Sequence, residues 1–320
     1  MLLQIVLFII GLGLVVKGAD WLVDGSSAIA KRLGISDFVI GLTIVGMGTS
    51  APELVVSFIG AIQGNADIAI GNVIGSNIFN VLLILGVTAI ICPMTITKIN
   101  RRKDIPINIG ITVLLLVLGM THTLFGFGND TLSRVDGLVF LVLFAIYIHM
   151  SFRFDTADDE AEDDGKKISK ALSIFMIVGG LASLVFGGQL FVDSATKIAK
   201  MMGVSDKFIA ITILAGGTSM PELATCIVAA AKKKGQLALG NILGSNVFNI
   251  LLILGGSALI HPLSFAAINL VDAGALLLSA LVIAFSIYTF KKDQLDRADG
   301  VFLLLMEIGY MTWLILTSKI

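Results

Sequence analysis

Apolar residues run along this chain in long blocks separated by short polar stretches. Ten blocks read as membrane-spanning helices, at residues 1–18, 38–62, 69–90, 105–120, 134–150, 171–189, 207–231, 238–260, 270–289 and 298–317. The fourth is the weakest, with Pro106 and Asn108 near its start. The first and sixth are expected to continue as helix past Asp24 and Asp193, toward Gly34 and Gly203. The predicted fold is an all-α membrane protein. Residues 1–150 form one five-helix half, 151–170 a linker, and 171–320 a second five-helix half.

The two halves are copies. Residues 34–86 and 203–255, compared without gaps at an offset of 169, are identical at 26 of 53 positions. Five spans is an odd number, so two joined copies cross the membrane in opposite directions. That predicts ten transmembrane helices as two inverted five-helix repeats, the plan of many secondary transporters, with the ion site near the midplane.

Composition agrees with burial in lipid. Of 320 residues, 56% are hydrophobic and 14% charged, whereas soluble domains are about a quarter charged. Mean hydropathy is +0.97. The lipid bilayer is the expected partner, and the net charge of −1 argues against nucleic acid. Cys92 and Cys226 lie at or within apolar blocks, so no disulfide framework is expected. The start, Met-Leu-Leu-Gln-Ile, lacks a basic stretch and reads as the first span.

Positive charge orients the chain. With the N-terminus outside, 17 of the 22 Lys and Arg residues fall in cytoplasmic loops. Arg134, Lys197, Lys200, Lys207 and Lys319 fall outside. Both termini are then expected outside a cell membrane, with the 151–170 linker cytoplasmic. Residues 155–164 of that linker are acidic and read as a solvated connection. Glu160, Glu162, Asp164 and Gly165 mimic the opening of a Ca²⁺-binding EF-hand loop. Ala171 stands where the closing glutamate belongs, so that loop is rejected.

The chemistry concentrates in Gly46-Met-Gly-Thr-Ser-Ala-Pro-Glu53. Glu53 is an isolated carboxylate inside an apolar block, which costs about 2.5 kcal/mol or more to insert and marks a functional site. Pro52 breaks a helix hydrogen bond and is expected to free the Gly48 carbonyl. Thr49 and Ser50 share the face of Glu53. Carboxylate, hydroxyls and carbonyls make an all-oxygen set suited to Na⁺ or Ca²⁺. The run returns as Ala215-Gly-Gly-Thr218-Ser219-Met-Pro221-Glu222.

A second motif follows each copy. In Gly71-Asn72-Val-Ile-Gly75-Ser76-Asn-Ile-Phe-Asn80, Asn72, Ser76 and Asn80 form one polar stripe. Asn241, Ser245 and Asn249 repeat it. Gly71 with Gly75, and Gly240 with Gly244, are small-xxx-small pairs that invite close helix packing. Each stripe is suited either to interhelical hydrogen bonding or to completing an oxygen cage.

These paired motifs resemble the alpha-repeats of the sodium/calcium exchanger family, within the calcium/cation antiporter superfamily. The likeness covers nearly the whole chain and is greatest to short prokaryotic members. It implies Na⁺/Ca²⁺ antiport by alternating access, with the two ions as transported substrates and no cofactor. By the same resemblance, Glu53 and Glu222 match the central glutamates, which ligate Ca²⁺ and share Na⁺ sites. Ser50, Ser76, Ser219 and Ser245 match side-chain Na⁺ ligands. Thr49, Thr218, Gly46 and Ala215 match carbonyl donors, and Asn80 and Asn249 the polar positions 27 residues after each glutamate. The position of Asn249 is acidic in potassium-dependent exchangers. Asparagine there leaves two formal carboxylates and implies K⁺ independence.

Two glutamates carry −2, which one Ca²⁺ or two Na⁺ neutralise. A third Na⁺ would leave +1 and couple transport to membrane potential, at about 2.3 kcal/mol per 100 mV. The first and sixth spans, rich in glycine at 11, 13, 179, 180, 187 and 188, are the expected sliding elements. Ca²⁺/H⁺ exchange and K⁺-dependent exchange are the alternatives within the superfamily, and a glutamate-lined cation channel is the rival from another class. No span centre offers a nucleophile with a base, so an enzyme is not expected. The chain is expected to work as a monomer. His122, His149 and His261 fall at span ends or in loops. Glu307 lies inside the last span, where the first half has Phe144, and it is expected to be paired, protonated or near the interface, without an assigned function.

Overall fold

The computed structural model describes residues 1–153, 168–202, 216–286 and 293–317. The acidic stretch 155–164, Gly203, Ala215 and the earlier part of the seventh block lie outside them. Eleven helices carry the description here: α1 (Leu2–Leu33), α2 (Asp37–Thr49), α3 (Ala51–Ile62), α4 (Ala66–Ile91), α5 (Ile105–Gly119), α6 (Arg134–Arg153), α7 (Lys170–Met201), α8 (Met220–Ala231), α9 (Gly235–Ile260), α10 (Leu270–Ser286) and α11 (Arg297–Thr317). Six are long and apolar enough to cross a membrane alone, and α2 with α3 makes a bent seventh. The chain is a multi-pass helical membrane protein. Helices α5, α8 and α10 are shorter, at 15, 12 and 17 residues.

Burial separates the helices into a centre and a rim. The apolar window of α9 is 94% buried and that of α4 67%, against 22% for α1 and 33% for α7. An all-round apolar helix belongs in the middle of a bundle, and α9 takes that place. Its Gly240 and Gly244 make the approach possible. A Cβ on either would collide with the backbone carbonyls of Phe38 and Leu42 in α2. The other small-xxx-small pair differs. Beyond the helix's own backbone, no atom among the described residues comes within 4 Å of a Cβ built on Gly71 or Gly75. The expected close approach is therefore absent there.

Helices α1 and α7 are each 32 residues, about 48 Å long, which exceeds a hydrocarbon core of about 30 Å. They run antiparallel along a shared seam. Gly11, Gly18 and Gly25 recur every seven residues on α1 and meet Gly187, Gly180 and Ser173 on α7. A Cβ on Gly18 would sit 2.8 Å from the Gly180 carbonyl oxygen, and one on Gly180 would sit 2.7 Å from the Gly18 oxygen. Gly13 and Gly188, by contrast, do not meet the opposite helix. Gly34, with φ of 66°, ends α1, and Ile35 N donates to the Ala30 carbonyl across the turn. Lys232, just past α8, ties α1 to the bundle through Asp20 at 2.5 Å and Asp24 at 2.7 Å.

Two short antiparallel strand pairs join distant loops. Met94–Thr95 pairs with Gln294–Leu295, and Thr131–Leu132 with Leu263–Ser264.

Candidate functional site

The site is built on a broken helix. Helix α2 stops at Thr49, Ser50 leaves helical geometry at ψ 11°, and α3 restarts at Ala51, bent by 48°. Pro52 sits in the first turn of α3, where a missing N–H costs nothing because that turn has no partner for it. Pro221 takes the same place at the start of α8. Glu53 and Glu222 therefore each lie in the first turn of a helix, at its positive dipole end. The Gly46 carbonyl accepts from Ser50 N at 3.2 Å, so the break leaves this carbonyl hydrogen-bonded.

Both glutamates are buried, at 1% and 0% exposure. Each is held by the serine before the other. Ser50 Oγ donates to Glu222 Oε1 at 2.7 Å, and Ser219 Oγ donates to Glu53 Oε1 at 3.1 Å. Ser76 Oγ adds a longer bond to Glu53 Oε1 at 3.5 Å. These bonds fix one oxygen of each carboxylate. The other oxygens, Glu53 Oε2 and Glu222 Oε2, are buried without a partner.

The stripe on α4 and α9 divides into two jobs. Asn72 and Asn241 are brackets. Asn72 donates to the Glu53 carbonyl at 3.1 Å and to Ser57 Oγ at 3.0 Å, while its own oxygen accepts from Thr218 at 3.5 Å. Asn241 accepts from Thr49 at 3.2 Å and donates to Cys226 Sγ at 3.2 Å. Ser245 Oγ donates to the Gly46 carbonyl at 3.2 Å. One turn further on, Asn80 and Asn249 keep a free oxygen: Asn80 Oδ1 and Asn249 Oδ1 are buried and unpartnered.

Their amide nitrogens are held by a pair the sequence reading did not single out. Asn77 and Asn246 stand beside the two serines, off the stripe. Asn80 Nδ2 donates to Asn246 Oδ1 at 3.1 Å, and Asn249 Nδ2 donates to Asn77 Oδ1 at 2.9 Å. Asn77 and Asn246 in turn donate to each other's backbone carbonyls, at 3.2 and 3.5 Å. The carbonyl oxygens of Asn80 and Asn249 receive no donor among the described residues. The signal available in the sequence was their identity in both copies. Asn80 and Asn249 also each open a π-helical turn, Asn80–Leu85 and Asn249–Leu254, a distortion frequent at functional sites.

The result is four buried oxygens with no hydrogen-bond partner, two from carboxyl groups and two from amides, drawn in matching pairs from the two halves. Such orphans cost free energy unless a cation meets them. Among the described residues, no group of three His, Cys, Asp or Glu side chains is close enough to share a metal ion.

Comparison with known proteins identifies the family. A family profile described as sodium/calcium exchanger protein matches residues 3–153 and 172–316. The chain belongs to the sodium/calcium exchanger family. Sodium/calcium exchanger MaX1 of Methanosarcina acetivorans is 33% identical, over 95% of this chain and 96% of its own. Inner membrane protein YrbG of Escherichia coli is 33% identical, over 98% and 96%. Among solved structures, the sodium-calcium exchanger NCX_Mj, soaked without Na⁺ and Ca²⁺, superposes with a TM-score of 0.84 at 33% identity, covering 98% of this chain and 99% of that one. Membership of this family makes the chain a cation antiporter.

Proposed function

We propose that this family member exchanges Na⁺ for Ca²⁺ by alternating access, at a site built on Glu53 and Glu222, without K⁺. The observation that carries this reading is the set of four free oxygens on Glu53, Glu222, Asn80 and Asn249. Hard cations take oxygen ligands of this kind. Ser50, Ser219, Ser76, Ser245, Thr49, Thr218 and the Gly46 carbonyl complete the surroundings and supply Na⁺ subsites, with Ala215 the second-half equivalent of Gly46. Two carboxylates and two amides favour K⁺ independence, because no third acid adds charge for a further cation to balance. Both glutamates and their partners belong to one chain, which supports action as a monomer.

The same reading counts ten spans in two inverted halves, 1–150 and 171–320, joined by 151–170. The antiparallel run of α1 against α7 supports it, since each opens its half. Their glycine seam makes them a unit able to slide against the bundle. Both termini lie outside and the linker is cytoplasmic. The strand pairs support the alternation of loops between the two sides, because each joins two loops assigned to one side.

In Na⁺-loaded proteoliposomes, uptake of radiolabelled Ca²⁺ should require the Na⁺ gradient and proceed without K⁺, with the potential clamped. Uptake driven instead by a pH gradient would make the counter-ion H⁺. Uptake indifferent to every counter-ion would make the protein a channel. A loss of uptake on K⁺ removal would overturn the reading of Asn249.

Orientation has its own test. With Cys92 changed to Ser, Cys226 is fully buried and silent. Asp159→Cys should then react with an impermeant reagent only from the cytoplasmic side, and Asn129→Cys only from outside. The reverse pattern would invert the assignment.

A further inference from the structure

Glu307 is a second buried carboxylate that the paired-glutamate site does not use. It sits inside α11 at 4% exposure, with no hydrogen bond or ion pair among the described residues, and its Oε2 is unpartnered. It borders a cavity of about 330 Å³ between α4, α10 and α11. Asp272 and Tyr310 border the same cavity, and the remaining wall is mainly apolar, with Phe79, Ile74 and Met311.

The duplication explains why space exists there. Aligning Arg134-Val-Asp-Gly137 with Arg297-Ala-Asp-Gly300 places Phe144 opposite Glu307. The 169-residue offset places Phe248 opposite Phe79. In the first half, Phe144 fills its position by packing edge-on against Phe248, with ring centroids 5.9 Å apart and planes at 69°. In the second half, the equivalent of that phenyl ring is a carboxylate, and Phe79 faces a cavity. A change from aromatic to acid at a membrane-buried position loses packing and adds a charge that must be compensated. Nothing in the duplicated transport site calls for it.

The charges in the cavity are not equally satisfied. Asp272 accepts from the Tyr310 hydroxyl at 3.0 Å and from Asn269 N at 3.3 Å, and it lies in the first turn of α10. Its charge is therefore met by two donors and a helix dipole. Glu307 has none of these. Tyr310 donates its proton to Asp272, so its oxygen keeps lone pairs for another partner.

We propose that this cavity is a second cation site, separate from the paired-glutamate centre, holding one monovalent cation with part of its water shell on Glu307, Asp272 and the Tyr310 hydroxyl oxygen. One uncompensated carboxylate matches one positive charge, and the volume leaves room for water beside the ion. The site lies against the Gly71 and Gly75 face of α4, the helix whose Ser76 reaches Glu53. An ion there bears on the helix that shapes the transport site, from its other side.

The test is equilibrium binding of radiolabelled Na⁺ to the purified full chain in detergent, with Ca²⁺ chelated and choline balancing ionic strength. Glu307→Gln should bind one Na⁺ fewer than the unaltered chain and still bind Ca²⁺. In a Glu53→Gln, Glu222→Gln background one saturable Na⁺ should remain, and adding Glu307→Gln should remove it. Tyr310→Phe, which keeps the ring and loses the oxygen, should weaken that remaining Na⁺ by several-fold. An unchanged Na⁺ count in Glu307→Gln would overturn the proposal. So would a variant that alters only the pH dependence of binding, since that marks a proton site. Failure of the paired-glutamate reading shows separately, as Ca²⁺ binding that survives in the Glu53→Gln, Glu222→Gln background.

Discussion

Replacing Glu53 or Glu222 with Gln is expected to abolish Ca²⁺ exchange while the protein still folds. The substitution keeps side-chain volume, and the amide oxygen can still accept from Ser219 or Ser50, so the cross-connection between halves survives. What is lost is one negative charge at the position of the unpartnered oxygen. Removing a unit charge about 4 Å from a second one, at an effective dielectric constant of about 20, forfeits about 4 kcal/mol of Coulomb attraction. That corresponds to roughly a thousandfold in affinity, and Ca²⁺, with twice the charge of Na⁺, loses more. The measurement is the initial rate of Na⁺-driven uptake of radiolabelled Ca²⁺ in proteoliposomes, beside a thermal melt of the same preparation. A well-folded variant that exchanges at the unaltered rate would take that glutamate out of the mechanism.

Asn249→Asp should change the pH dependence of exchange. Asn249 donates through Nδ2 to Asn77 Oδ1 at 2.9 Å. A protonated aspartic acid can make the same donation, so at low pH the variant resembles the original: a neutral side chain, with Asn77 satisfied. An ionised aspartate cannot. It turns an acceptor toward Asn77 Oδ1 and adds a third carboxylate to a buried site that already holds two. Neighbouring like charges and burial both disfavour ionisation, so the new group titrates above the ordinary aspartate value. Below that pKa, flux should follow the original ion dependence. Above it, the extra charge should call for an additional monovalent cation, seen as K⁺ stimulation or a changed Na⁺ dependence. Flux measured across a pH series, with and without K⁺ and at clamped potential, decides. A variant indistinguishable from the parent at every pH would place position 249 away from the ions.

The legible part of this protein was its list of polar residues in apolar surroundings. Glu53 and Glu222 stood out because lipid makes an isolated carboxylate expensive, so its presence carries information a surface glutamate would not. Pro52 announced the helix break and Pro221 a helix start, since no helix interior tolerates a missing N–H cheaply. The 169-residue offset paired the halves before any coordinates. Membership of the Asn72, Ser76 and Asn80 stripe was also readable from the period of a helix.

The division of labour within that stripe was not readable. Asn72 and Asn80 look alike on a helix wheel, yet one spends both ends of its amide on neighbours and the other keeps an oxygen free. The difference is set by residues of the opposite half, Thr218 and Asn246, 146 and 166 positions away. The same is true of the glycines. Gly240 and Gly244 meet a helix, while Gly71 and Gly75 meet nothing among the described residues, from one sequence motif. Sequence by itself determined which groups lipid could not leave without a purpose, because burial cost and helix period are local properties of the chain. Only tertiary structure decided which oxygens remain unpaired, because a hydrogen bond depends on the distance and direction between residues that the chain order keeps far apart.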